Sequence, residues 1–148
     1  MRLWRISNRA DLSGGGGLYV SGRWHGKGRR VVYLADHPAS ALLEVLVHLE
    51  IDVEDLPTRY QLLAIDAPDD IATTTIDEGS LPPDWRDRPL TTRVCGDDWL
   101  RAGASALLRV PSAIVPATRN YLLNPAHADA MRLSVVSAMS APFDRRLV

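Results

Sequence analysis

One carboxylate, Glu44, stands inside an otherwise apolar run, Ala39-Ser40-Ala41-Leu42-Leu43-Glu44-Val45-Leu46-Val47-His48-Leu49. An ionised Glu in such company is costly unless a partner or a substrate compensates it. Upstream lies Arg23, in Ser21-Gly22-Arg23-Trp24-His25, and between the two lies Tyr33, in Val31-Val32-Tyr33-Leu34-Ala35. An Arg, a Tyr and a Glu delivered by a loop, a strand and a helix can build a site for a phosphate-bearing small molecule. The guanidinium fork suits phosphate oxygens, and Gly22, Gly26 and Gly28 would let backbone approach closely. No phosphate-loop or dinucleotide-fold fingerprint accompanies them.

Each of these residues also has a plainer reading. Arg23 is one of several basic residues in a surface loop, and Tyr33 can be ordinary strand core with one satisfied hydroxyl. Arg5 competes with Arg23 as phosphate ligand, or is structural beside Trp4. Ser112 follows Pro111 at a strand break, with no glycine elbow and no His–acid pair to make it a hydrolase nucleophile. Asn120 can complete a pocket or make turn hydrogen bonds, whereas Asn124, before Pro125, reads as a turn. Of the four histidines, His25 is the one placed to touch a substrate. His37 and His48 flank the helix without zinc-ligand spacing, Cys95 stands alone, and no metal site is expected.

The positioning elements follow from periodicity. Residues 2–6 alternate as a strand, residues 8–17 form a polar, glycine-rich loop, and residues 18–20 read as a short strand. Residues 31–35 are a buried strand. A helix capped by Asp36 and entered through Pro38 covers residues 40–49. Its core stripe is Leu42, Val45, Leu46 and Leu49, with Leu43 and Val47 buried at the flanks. His37, Ala41, Glu44 and His48 share another face, as a cleft wall requires. Further strands are expected at 60–67, 72–76, 106–110, 113–115, 133–138 and 143–148. A second helix, capped by Thr91 or Thr92, would reach Arg101 with Val94, Trp99 and Leu100 inward and Gly96 weakening it. A helical turn is expected at 128–131. The expected class is α+β, a single domain over residues 1–148 built on twisted, mostly antiparallel sheet with few helices.

Charge is nearly balanced, with 17 basic and 18 acidic residues, which argues against general nucleic-acid binding. The single cysteine excludes an intrachain disulfide and suits a reducing compartment. No window has signal-peptide or membrane-span character, so the expectation is a soluble, cytoplasmic protein with no membrane contact.

Motif order adds to this. Gly22 through Glu44, Gly96-Asp97-Asp98-Trp99, Val110-Pro111-Ser112-Ala113, Asn120-Tyr121-Leu122-Leu123-Asn124-Pro125 and Phe143-Asp144-Arg145-Arg146-Leu147 together resemble the RES-domain toxins of bacterial type II RES–Xre toxin–antitoxin pairs. The resemblance implies that the family's Arg, Glu and Ser fall on Arg23, Glu44 and Ser112, and its Tyr on Tyr33. It implies an ADP-ribosyltransferase-like fold and toxicity through NAD, by hydrolysis, by phosphorolysis with inorganic phosphate as co-substrate, or by protein ADP-ribosylation. Glu44 would then stabilise positive charge on the ribose, with Arg5, Arg23, His25, Tyr33 and Asn120 around the dinucleotide. The implied partner is a helix-turn-helix antitoxin of the Xre type, in a toxin–antitoxin complex or beside a homo-oligomer. The departure is Trp24-His25, where the family often has an aromatic residue followed by Asn. A non-catalytic module that binds nucleotide or antitoxin is the competing class. Access for NAD is expected past the 8–17 loop.

Overall fold

The computed structural model describes residues 1–48 and 57–147. Among them are seven strands and two α-helices: β1 (Arg2–Ile6), β2 (Val32–Ala35), α1 (Pro38–His48), β3 (Arg59–Asp66), β4 (Thr73–Thr75), α2 (Pro89–Ala102), β5 (Leu107–Pro111), β6 (Arg119–Leu123) and β7 (Ser134–Pro142). The strands form one sheet in the order β4-β5-β6-β2-β1-β3-β7. Every pairing is antiparallel except the β4/β5 edge. The α+β, mostly antiparallel expectation is met.

The central strands are covered on both faces, which is why they read as apolar runs. Leu3, Val32, Leu34, Leu63, Ile65, Leu107, Tyr121 and Leu123 belong to one buried cluster. Val31, Leu108, Val110 and Leu122 belong to a second, with Trp24, Trp85 and Trp99. Strand alternation assigns neighbouring residues to opposite clusters, so Tyr33 and Asn120 share the face of Leu122, away from Val32 and Leu34. That face carries the site.

Several expected details differ. Residues 15–18 form a 3-10 turn, not the start of a strand at 18–20, because Gly14 adopts a left-handed φ of 69° that turns the chain. In α1 the side chain that caps is His37 rather than Asp36: its Nδ1 accepts the Ala39 amide at 3.1 Å. Only Ala41 of that helix is fully buried. Leu42, Val45 and Leu46 are half-covered, Leu43 and Val47 are exposed, and Leu49 lies outside the described residues.

Helix α2 begins at Pro89, whose fixed φ suits a first turn, so neither Thr91 nor Thr92 caps it. Its buried face is Thr92, Gly96 and Trp99, and Val94 is 59% exposed instead of inward. The expected strand at 113–115 is a turn, with the Ile114 and Val115 amides donating to the Ser112 hydroxyl at 3.1 and 3.2 Å. The expected terminal strand is a 3-10 turn at Arg145–Leu147, since Asp144 draws the chain round by accepting from the Arg146 amide. Val148 lies outside the described residues.

Candidate active site

Glu44 reaches from α1 toward the ends of β5 and β6. Two donors converge on one of its oxygens. Asn120 Nδ2, in β6, donates to Oε1 at 2.7 Å, and the Ser112 hydroxyl, just beyond β5, donates to the same atom at 3.3 Å. Ser112 is buried, and its oxygen also accepts two backbone amides, so its proton has one direction left, toward Glu44. No donor among the described residues bonds Oε2. Among the described residues the carboxylate is thus held through Oε1 alone.

Glu44 lines a cavity of about 610 Å³ together with Arg23, Tyr33, Trp4, Val45 and Asn120. The volume fits a nucleotide-sized ligand. Gly16 and Gly17 of the glycine-rich loop form part of its wall. Gly17 has to be glycine: a Cβ there would stand 2.3 Å from the Arg29 carbonyl oxygen.

Residues 20–25, next to Gly17, form another part of the wall. At its centre the buried His25 meets the half-buried Tyr33. His25 Nε2 lies 3.0 Å from the Val20 carbonyl, which can only accept, so Nε2 carries the proton and donates. Nδ1 then accepts, from the Tyr33 hydroxyl at 2.7 Å and the Gly22 amide at 3.2 Å. The Tyr33 oxygen in turn accepts the Trp24 amide at 3.1 Å. Burial pushes the Tyr33 phenol above its ordinary value, with the nearby charges of Asp97 and Glu44 adding to the effect. Burial also holds the His25 imidazole below its usual value. Both groups therefore stay neutral and lock the loop onto β2.

Arg23 points its guanidinium toward the 85–87 turn, donating to the Arg86 carbonyl at 2.9 Å, with further donors of its fork left over. Beneath it Trp24 packs on Trp85, ring centroids 5.9 Å apart, and the Arg86 guanidinium lies over Trp85 at 4.6 Å. Arg5 borders the same cavity, but its register partner is Leu63, so alternation sets its side chain with Leu3 and Ile65. It donates to the Asp11 carbonyl at 2.8 Å, and burial lowers its pKa, with Asp11 opposing that shift.

The structure therefore gathers Glu44, Asn120, Tyr33, His25, Arg23 and Arg5 around one chamber, with Ser112 bonded to Glu44 and the Arg5 guanidinium donating to Asp11. Asn124 accepts the Ala126 amide as a turn residue and also donates to the Leu100 carbonyl of α2. Among the described residues no cluster of His, Cys, Asp or Glu could hold a metal ion, and no helix is long and apolar enough to cross a membrane. Sequence reasoning missed Thr92, Arg93 and Asp97, which reach the 21–26 loop from α2. The signal was available in the awkward Gly96 of that helix.

Known proteins are similar to this chain in sequence and fold. The RES domain matches residues 2–145. The chain is 53% identical over 135 residues to a protein named Toxin Res from Pseudomonas putida, covering 91% of this chain and 92% of that one. It is 36% identical to a Sphingobium protein named Prs ADP-ribosylating toxin, covering 98% and 95%. Its fold is similar to that in the crystal structure of the M. tuberculosis MbcT–MbcA toxin–antitoxin complex, with a TM-score of 0.74, 20% identity, and coverage of 99% of this chain and 85% of that one. With that match spanning nearly its whole length and such relatives beside it, the chain belongs to the RES-domain family of toxins.

Proposed function

We propose that this protein is a toxin enzyme that breaks the nicotinamide–ribose bond of NAD, passing the ADP-ribosyl group to water or inorganic phosphate. The observation that carries this is the pose of Glu44, held among the described residues through Oε1 alone in a nucleotide-sized cavity. Nicotinamide leaves as a neutral pyridine, so the step asks for little acid catalysis. The barrier lies in positive charge growing on C1 and the ring oxygen of the ribose. A carboxylate fixed before the reaction stabilises that charge where it develops and loses nothing to reorganisation. The departing ring takes the C–N bonding pair, and the oxygen of water or phosphate forms the new bond at C1. With water the proton goes to solvent.

Arg23 would hold the pyrophosphate, and the aromatic ring of Tyr33 would bound the nicotinamide end. Ser112 and Asn120 act through Glu44 and are positioning residues. Arg5 has a structural role in this reading, since strand alternation sets its side chain with Leu3 and Ile65, on the other face of the sheet from Asn120. The name of the Sphingobium relative favours a second reading, in which a protein side chain is the acceptor. The structural neighbour, solved as a toxin–antitoxin complex, supports an antitoxin partner, which we propose is of the helix-turn-helix Xre type.

Incubating the purified protein with NAD, with and without inorganic phosphate, tests the reading. Nicotinamide release in both cases, with a ribose-phosphate ester only in the second, is expected of an enzyme that accepts either nucleophile. Release lost in Glu44→Gln, by about 10²–10³ in kcat, is expected of a fixed electrostatic stabiliser. A Gln variant turning over NAD at the full rate, or no release by the wild type, overturns it.

A further inference from the structure

The side chains that hold the Arg23 loop come from one flank of α2. Thr92 donates its hydroxyl to the Arg23 carbonyl at 2.5 Å. Arg93 Nε donates to the Gly22 carbonyl at 2.8 Å. The two carboxylate oxygens of Asp97 share the Gly26 amide, each at 3.1 Å. Gly96 completes the set by having no side chain: a Cβ there would lie 1.6 Å from the Trp24 carbonyl oxygen. Thr92 and Gly96, like Arg93 and Asp97, are four residues apart and so stack along one side of the helix. The main chain at Gly22, Arg23, Trp24 and Gly26 thus meets α2, while His25 is tied from the other side by Tyr33.

Apolar packing alone would bury this loop, and Trp24 against Trp85 already does so. Polar contacts to successive main-chain groups do something else: they fix where the backbone lies. A guanidinium is only as well placed as the peptide that bears it, and displacement by about 1 Å can cost up to about 10²-fold in reaction efficiency. Arg93 and Asp97 do not line the cavity. They also bear on the His25–Tyr33 pair, since both are among the charges acting on it.

We infer that α2 is the positioning element of the site, with Asp97 and Arg93 setting the place of Arg23 for the pyrophosphate of the substrate, given the role proposed above for Arg23. The geometry also accounts for Gly96-Asp97-Asp98-Trp99. Gly96 admits the Trp24 carbonyl, Asp97 holds Gly26, and Trp99 anchors the helix by donating from Nε1 to the Ser105 hydroxyl at 2.9 Å. Asp98 faces solvent and pairs with Arg101 at 2.8 Å.

The experiment is a double-mutant cycle on the full chain, reading KM and kcat for nicotinamide release from NAD. Asp97→Asn replaces one acceptor oxygen by a donor, and Arg93→Met keeps the stem while removing the guanidinium. Each is expected to raise KM about tenfold with kcat nearly unchanged, because binding lost equally from ground and transition states appears in KM. In an Arg23→Ala background the same substitutions are expected to add nothing further. Unchanged KM in folded Asp97→Asn and Arg93→Met, or KM increases that simply multiply with that of Arg23→Ala, would overturn the inference. Should Asp97→Asn fail to fold, Arg93→Met decides. If Arg23→Ala itself leaves KM unchanged, it is the pyrophosphate role of Arg23 that falls, and the positioning role with it. A raised KM in Arg23→Ala with unchanged KM in both α2 variants overturns the positioning role alone and leaves the pyrophosphate role of Arg23 standing.

Discussion

Asn120 Nδ2 lies 2.7 Å from Glu44 Oε1, whereas the Ser112 hydroxyl lies 3.3 Å from the same oxygen. The shorter bond is the stronger orienting contact, and it comes from β6 in the middle of the sheet.

Removing it should cost turnover. Hydrogen bonds to charged groups contribute about 1.5–3 kcal/mol, so Asn120→Ala is expected to lower kcat for nicotinamide release about 10- to 100-fold. Ser112→Ala should cost less in turnover but more in stability, because the Ile114 and Val115 amides lose their acceptor. Both share one oxygen, so the double variant should fall short of the product of the two. Steady-state kinetics with thermal melts on the four proteins would show it.

The two arginines should separate. Arg23→Ala removes charge-assisted bonds to phosphate, each contributing about 1.5–3 kcal/mol, and is expected to raise KM about 10- to 100-fold. Arg5→Met, which keeps the stem and discards a desolvated charge, should leave KM unchanged and stability little altered. Measuring KM for NAD in both variants decides between them. An increase with Arg5→Met alone would reverse the assignment.

Acid should loosen the 21–26 loop. Burial keeps the folded-state pKa of His25 below its ordinary 6.5. The unfolded chain therefore takes up a proton first as pH falls. His25 contributes stability that is fully present above about pH 6.5 and is lost as pH drops from there toward the folded-state value. A protonated ring would also turn an N–H against the Gly22 amide, which now donates to it. Melting temperature is expected to decline from about pH 7.5 to about pH 5, and His25→Gln should flatten that decline. A wild-type slope retained in the variant would show that other groups produce it.

Gly96→Ala should destabilise. In an exposed helix interior the change would gain about 1 kcal/mol. Here the new methyl meets the Trp24 carbonyl oxygen at a separation no packing tolerates, so the loop or the helix must move. A net loss of about 1–3 kcal/mol is expected by urea titration, the usual range for overpacking.

Much of the scaffold is legible in the chain itself. Alternation locates β1, β2 and β3, and helical spacing places Glu44 beside Ala41 and His48, which line the cavity with it. What could not be read is tertiary. Val94 has the hydrophobicity of a core residue and sits outside, because Thr92 and Gly96 take the buried face in order to grip a polar loop. Val47 is exposed because it faces the chamber instead of a solid core, and Leu43 is exposed without lining it. The turn at 113–115 carries strand-like side chains, yet the buried Ser112 hydroxyl captures its amides before any ladder can. In the site, residue types are visible from sequence, but the single oxygen on which Ser112 and Asn120 meet is not.

The two groups that hold Glu44 arrive 68 and 76 positions later in the chain. β6, which brings the second, must slot between β5 and β2 before that grip exists. A nascent polypeptide still short of Arg119 carries the acid and the central strand β2, but not the Asn120 amide that makes the shorter of the two bonds. The cleavage proposed above would accordingly reach its full rate only once β6 has entered the sheet.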